Sequence, residues 1–279
     1  MEVLHTIAGF RQARARLKGT LGLVPTMGYL HTGHIELVNQ ARQANDAVAA
    51  SIFVNPTQFG PNEDFAAYPR DIHRDLAMLA GAGTTLVFNP ELEEMYPNGY
   101  VSYIDVGPVA HPMEGARRPG HFRGVVTVVC KLFNIVQPNR AYFGQKDGQQ
   151  VAVIKRMAAD LDVPVEIVVV PTVREPDGLA MSSRNVYLSP PERKAAVCLS
   201  RALFAAQRLW ASGERDTAKL RQRMLDEVDA EPLAHIDYVT LADAETMAEV
   251  TDTLIKRPIM AALTVQIGKT HLIDNIVLS

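Results

Sequence analysis

Leu21-Gly22-Leu23-Val24-Pro25-Thr26-Met27-Gly28-Tyr29-Leu30-His31-Thr32-Gly33-His34 is the stretch whose reading decides the fold. The apolar run Leu21–Val24 reads as a strand that ends at Pro25. From His34 to about Asn45, Ile35, Leu37, Val38 and Ala41 fall at helical spacing. Gly28 and Gly33 lie between the two elements. A strand that breaks through glycines into a helix forms an anion cradle, because the first N–H groups of the helix have no partner inside it. His31 and His34 would add side-chain donors at that mouth. The same residues also suit an ordinary strand-to-helix turn with two surface histidines, so the neighbouring segments have to decide.

Outward from this stretch, elements alternate. Thr6–Leu17 reads as a short amphipathic helix, Ala47–Val54 as a strand, Asp71–Ala82 as a helix ended by Gly83, and Thr84–Phe88 as a third strand. Such β-α-β-α-β alternation implies a parallel sheet with helices on both faces. Beyond the irregular Asn55–Tyr68 loop, a strand is expected at Tyr100–Val106. Phe122–Val136 is too long and apolar for one strand and is expected as a buried helix. A strand at Ala141–Phe143, a helix at Gln149–Leu161 and a strand at Val165–Val170 complete the alternation. After Ser189-Pro190-Pro191 the pattern changes to a helix reaching Trp210, a helix at Thr217–Val228, and strands at Ile236–Leu241 and Ile259–Ile267. The boundary is expected between Pro171 and Met181, which gives domains of residues 1–175 and 176–279.

Hydrophobic residues make up 47% of the 279 and charged residues 21%, enough for one large or two ordinary globular cores. The net charge of −3 and the pI near 6.2 argue against a nucleic-acid partner, which would call for a basic stripe. Met1-Glu2-Val3-Leu4-His5 has neither the basic nor the apolar part of a signal peptide. No apolar run approaches the roughly 18 to 20 residues of a spanning helix, so no membrane partner is expected. Cys130 and Cys198, far apart in apolar helical segments, read as buried free thiols in a reducing cytoplasm.

Three segments place chemistry after strands: the His31/His34 turn, Gly144-Gln145-Lys146-Asp147, and Met181-Ser182-Ser183-Arg184-Asn185. In an open parallel sheet, ligands bind outside the carboxyl ends of strands where the order reverses, and all three segments can meet there. Lysine, arginine and two hydroxyls are a toolkit for polyphosphate. Singly, each has a plainer reading: Lys146-Asp147 as a solvated pair, Ser182-Ser183 as a loop or cap. Asn55 and Gln58, flanked by Phe53 and Phe59, together with Gln149-Gln150, suit a small polar substrate. Asn55 also suits turn chemistry and Gln58 surface exposure. Arg117-Arg118 could reach an anion or be a solvated connection. No Walker-type lysine motif and no Gly-x-Gly-x-x-Gly after a strand is present, which argues against P-loop hydrolases and dinucleotide dehydrogenases. Beside His31 and His34 no carboxylate or cysteine stands at ligand spacing, so no protein-held metal is expected; Mg²⁺ would arrive with nucleotide phosphates.

Taken together, these residues resemble a known family. Pro25-Thr26-Met27-Gly28 with His31-x-Gly33-His34 is similar to the HIGH signature of the adenylate-forming nucleotidyltransferases, and Met181–Asn185 to its KMSKS counterpart. Ser51–Phe59, Arg118–Phe122, Tyr142–Asp147, Pro171–Glu175 and Leu272-Ile273-Asp274-Asn275 resemble the pantoate–β-alanine ligase family over nearly the whole chain. The resemblance implies an α/β fold, with a Rossmann-like doubly wound parallel sheet, a smaller α+β C-terminal lid domain and a homodimer. It implies condensation of pantoate with β-alanine through a pantoyl adenylate, releasing AMP and pyrophosphate. It implies ATP at Met27, Gly28, Tyr29, Leu30, His31, Thr32, Gly33, His34, Gly144, Gln145, Lys146, Asp147, Val173 (by its backbone), Met181, Ser182, Ser183 and Arg184. His34, His31 and Lys146 would be catalytic, with His34 the proton donor. Gln58 and Gln150 would hold pantoate, Gln58 also lying near β-alanine, with Asn55 and Arg118 as further contacts.

The chain departs from the family pattern at Gln145, where glutamate is frequent, at Gly148, where a larger residue is common, and at His271, where arginine is expected. Two other readings stay open at this level. One is a nucleotidyltransferase that stops at the nucleotidylated product. The other is a regulatory protein that binds nucleotide without turnover.

Overall fold

The computed structural model describes residues 1–61, 63 and 65–279. Its contacts divide the chain into two compact units, Met1–Gly144 with Val153–Val170, and Gln145–Ala152 with Pro171–Ser279.

The first unit is built on a six-stranded parallel sheet. Its elements run β1 (Glu2–Leu4), α1 (Ile7–Arg16), β2 (Leu21–Thr26), α2 (Thr32–Ala44), β3 (Ala47–Ile52), α3 (Ile72–Gly81) and β4 (Leu86–Phe88). Two short helices follow, α4 (Leu92–Met95) and α5 (Glu114–Arg117), then α6 (His121–Val136), β5 (Arg140–Gly144), α7 (Gly148–Asp160) and β6 (Glu166–Val170). The spatial order β1-β4-β3-β2-β5-β6 reverses direction between β2 and β5, which makes the sheet doubly wound. Val24, Val48, Ala50 and Val87 from the strands pack with Leu37, Val38 and Leu79 from the helices as its buried core.

β2 sits in the middle of the sheet yet contains Pro25. Thr20 and Thr26 turn their carbonyls to the β3 side, accepting from Ala47 and Phe53, while Leu21 accepts from Asn139 on the β5 side. Alternation then points Pro25, which lacks an N–H, toward β5. The ladder to β5 has only the pairs Gly22↔Arg140 and Leu23↔Ala141 and ends before Pro25, where β2 has no N–H to continue it. The strand therefore runs two residues past the expected end, held by β3 alone.

Other elements differ from expectation in informative ways. Tyr100–Val106 forms no ladder; Val101 is 81% exposed, and the Ile104 N–H is taken by Thr127 Oγ1. The helix expected to begin at His34 begins at Thr32. The helix expected to reach Trp210 is broken into α8 (Pro190–Ala195) and α9 (Cys198–Ala211). At the break Val197 and Leu199 bond three residues back, to Lys194 and Ala196, a tightening that interrupts the helix without glycine or proline. Cys198 is buried as expected, whereas Cys130 is only partly so.

The second unit adds α10 (Thr217–Asp229) and an antiparallel sheet ordered β7 (Ala234–Asp243), β8 (Ile259–Ile267), β9 (Thr270–Leu278). Leu199, Leu203, Leu220 and Met224 pack on Val239, Leu263 and Val265 of that sheet. β9, which the sequence reading leaves without an element, pairs with β8 over its whole length.

Candidate active site

The turn after β2 is held from outside itself. Gly28 takes φ +80° and Tyr29 φ +49°, both in the left-handed region. A Cβ on Gly28 would lie 2.9 Å from Asp75 Oδ2, so glycine is required by conformation and by space. Asp75, 1% exposed on α3, accepts the N–H groups of Tyr29 and Leu30 through its two oxygens, each at 2.7 Å. Those two amides are turned to a carboxylate rather than to a ligand.

The side chains supply what the backbone does not. His31 is the N-cap of α2 and His34 its third residue, and they cap each other's backbone: His31 Nδ1 accepts from Gly33 N, and His34 Nδ1 accepts from His31 N. Because both Nδ1 atoms accept, each neutral ring carries its proton on Nε2. The rings lie 4.1 Å apart between centroids. Two Nε2–H donors thus stand together where the helix dipole already favours an anion.

Beside them lies a network of carboxamides. Asn55 caps a single 3₁₀ turn, Pro56–Gln58, whose last residue is Gln58, and both side chains are buried. Asn55 Nδ2 donates to Gln58 Oε1 (3.0 Å) and to the Gly124 carbonyl (3.1 Å). Asn55 Oδ1 accepts from Tyr96 OH (2.8 Å) and Thr57 Oγ1 (2.9 Å). The Gln58 amide is thereby oriented, and its Nε2 donates to Met27 Sδ at 3.1 Å, a weak acceptor that a carboxylate or hydroxyl oxygen would displace. Burial pushes the Tyr96 phenol up to about 12, so it remains a donor. Gly124 allows this packing, since a Cβ there would stand 2.3 Å from the Thr57 carbonyl.

Arg118 is tied into the same wall. It forms a two-point ion pair with Glu63 and meets His121 Nε2 at 3.1 Å, while His121 Nδ1 donates to the Gln58 carbonyl at 2.8 Å. Burial alone would raise the Glu63 carboxyl; the hydrogen bond and charge of Arg118 outweigh it and hold the group below its usual value. Arg118 therefore braces the loop that carries Gln58.

The second unit holds the remaining candidates. Gln145–Asp147 is a 3₁₀ turn in which Lys146 Nζ lies 3.4 Å from Asp147 Oδ1. Gln150 is partly buried in the first turn of α7, next to the buried Gln149. Val173 accepts the Met181 N–H, and an Arg174↔Ala180 bridge closes a hairpin whose tight end is Gly178 at φ +98°. Ser182 Oγ then caps the 3₁₀ turn Ser183–Tyr187 by accepting from Arg184 N, so its hydroxyl has the cap role read from sequence as the plain alternative. Among the described residues no three His, Cys, Asp or Glu side chains gather at metal-ligand spacing.

Sequence reasoning missed Asp75, Tyr96 and His121. Asp75 reads as one more charge in an amphipathic helix, and no local signal links it to a turn 45 residues earlier. His121 lies inside the Arg118–Phe122 motif, but only the fold gives it the Gln58 carbonyl.

Comparison with known proteins shows the family of the chain. The profile of the pantoate-beta-alanine ligase family matches residues 2–277. A pantothenate synthetase of Roseiflexus sp. (strain RS-1) is 62% identical over 278 residues, covering 100% of this chain and 99% of that protein. The crystal structure of pantothenate synthetase from Thermus thermophilus superposes with a TM-score of 0.93 at 48% identity, covering 99% of both chains. Pantoate-beta-alanine ligase from Francisella tularensis, solved with beta-gamma ATP and beta-alanine, superposes with a TM-score of 0.80 at 35% identity, covering 99% of this chain and 97% of that one.

Proposed function

This chain belongs to the pantoate-beta-alanine ligase family, and from that premise we propose how its residues carry out the reaction. The protein is an ATP-dependent ligase that condenses pantoate with β-alanine to pantothenate. The pantoate carboxylate attacks the α-phosphorus of ATP, expelling pyrophosphate and leaving pantoyl adenylate. The β-alanine amine then attacks the acyl carbon, the amine loses a proton, and AMP departs. The observation that carries this reading is the family match, unbroken from residue 2 to residue 277.

The roles of single residues form the finer part of the proposal. The His31 and His34 Nε2–H groups would stabilise charge as it builds on phosphate oxygens, with His34 the proton donor of a hydrogen bond to the departing phosphate oxygens, and Lys146 would add a cation. Met27, Gly28, Thr32 and Gly33 would line the nucleotide, with Gly144, Gln145, Asp147, the Val173 backbone, Met181, Ser182, Ser183 and Arg184. Tyr29 and Leu30 would contribute shape only, since their N–H groups are held by Asp75. Gln58 and Gln150 would hold pantoate, with Asn55 and Arg118 fixing Gln58. Mg²⁺ would accompany ATP, held largely by phosphate oxygens and water, and would neutralise phosphate charge. Holding the substrates together supplies much of the remaining acceleration.

The expectation of a homodimer is supported by Val101 and Tyr103, exposed on an extended stretch with no ladder partner. Light scattering of the wild type and of Val101→Asp tests it. The expected cytoplasmic location is supported by the two free cysteines, Cys130 and Cys198; among the described residues no helix is long and apolar enough to cross a membrane.

The deciding experiment supplies ATP, pantoate and labelled pyrophosphate without β-alanine. Label should enter ATP, and adding β-alanine should yield pantothenate and AMP in equal amounts. Products of ADP and phosphate would overturn the adenylate route.

A further inference from the structure

The Leu272–Asn275 motif carries two polar residues that the reaction scheme leaves without a role. Asp274 and Asn275 lie on β9 opposite Leu263 and Ala262, and both are buried, at 2% and 4% exposure. A buried polar pair inside a sheet needs partners, and theirs come from far along the chain. Asn275 Oδ1 accepts from Gln145 Nε2 at 2.8 Å, and Asn275 Nδ2 donates to the Lys146 carbonyl at 2.8 Å. One carboxamide thus grips two successive residues of the turn that bears Lys146. Asp274 binds Arg174 through both oxygens, at 2.5 and 3.0 Å, and Arg174 also reaches the Gly178 carbonyl in the Val173–Met181 hairpin.

We propose that Asn275, with Asp274 beside it, is a positioning residue for Lys146, fixing the turn from which the lysine serves the nucleotide. The inference rests on the phosphate role given to Lys146 above. Gly148 is the independent sign of it. A Cβ at 148 would stand 2.9 Å from Asn275 Oδ1 and 2.5 Å from Met260 Sδ. The methionine end can swing aside, but the Asn275 amide cannot move without releasing Gln145 or Lys146. Gln145 and Gly148 are therefore matched around one amide: one donates to it and the other leaves it room. Burial raises the Asp274 carboxyl from its usual value, and Arg174, the Asn275 N–H and Lys146 oppose the shift, which puts Lys146 within electrostatic reach of the pair.

The test uses the full chain as Asn275→Ala, Gly148→Ala and the double variant. It reads pantoate-dependent pyrophosphate exchange per folded molecule, and the rate at which acetic anhydride labels Lys146, by peptide mass spectrometry. A misplacement of about 1 Å costs on the order of 10²-fold, so each single variant should lose roughly 10- to 100-fold in exchange kcat. The pantoate KM should change little, and Lys146 labelling should change in both. The double variant should be no slower than Asn275→Ala, because the two substitutions act on one contact. Normal exchange and labelling in folded Asn275→Ala, or losses that multiply in the double variant, would overturn the proposal. Should Asn275→Ala not fold, Gly148→Ala decides alone, since it removes no side-chain atom. Lys146→Ala separates the two readings: normal exchange there would remove the lysine's phosphate role, and the labelling rates would still decide the positioning.

Discussion

Replacing Asp75 with asparagine probes the turn at the end of β2. Its two oxygens each accept one backbone N–H, from Tyr29 and Leu30, at 2.7 Å in a buried site. An amide of the same shape keeps one acceptor and presents an NH₂ group to the other donor. The bond that is kept changes from charge-assisted to neutral, a loss of about 1 kcal/mol, and the orphaned buried N–H costs about 1 to 3 kcal/mol. Together the turn loses about 2 to 4 kcal/mol of resistance to opening. At about 1.4 kcal/mol per factor of ten, the Tyr29 and Leu30 amides should exchange with deuterium roughly 30- to 700-fold faster than in the wild type. Exchange at single amides suits this chain better than a global melt, because two units do not license one unfolding free energy. The cap residue His31 follows directly on this turn, so pyrophosphate exchange should weaken as well. If both amides exchange at the wild-type rate in the folded variant, Asp75 does not hold the turn and the reasoning fails.

Other substitutions read other parts of the site. His34→Ala should lower kcat and kcat/KM for adenylation together by about 10² to 10³, with the ATP KM little changed; single-turnover adenylate formation at the normal rate in folded protein would remove His34 from the chemistry. Since its imidazole also caps α2, the same variant should lose about 0.5 to 2 kcal/mol of stability, seen as a lower melting temperature. Gln58→Ala should weaken pantoate by about 1 to 3 kcal/mol and ATP far less; steady-state KM values showing equal weakening would mean that this loop shapes the nucleotide site. Tyr96→Phe should show a pH signature. The folded-state phenol is raised from 10.0 to about 12 by burial, so the stability it contributes is present below pH 10 and lost as pH rises toward 12. The melting-temperature gap between wild type and Tyr96→Phe should narrow over that range, and a constant gap would contradict it.

What could be read from the sequence was local. The glycine turn, the His31/His34 spacing and the Asn55–Gln58 pair lie within a few residues, and periodicity located the strands and helices that carry them. What depended on partners elsewhere in the chain could not be read. Tyr100–Val106 has the composition of a strand, but a strand needs a neighbour, and here none pairs with it. β9 places a carboxylate and a carboxamide mid-strand, which breaks an apolar pattern until Arg174 and Gln145 are known to lie opposite. The break between α8 and α9 falls in Lys194-Ala195-Ala196-Val197-Cys198, where no residue opposes a helix.

Pro25 has a further consequence. Where the ladder between two strands ends early, each strand gains a short inner edge whose peptide groups invite any extended segment, including the chain's own loops or another molecule's terminus. On the β2 edge the position facing β5 is a proline, which offers no N–H to an intruding strand. That edge is thereby denied to peptide. Pro25→Val would restore the donor without adding bulk to the sheet. Such a chain should fold with the same core and yet become prone to strand capture at that edge, detectable as slow, concentration-dependent association.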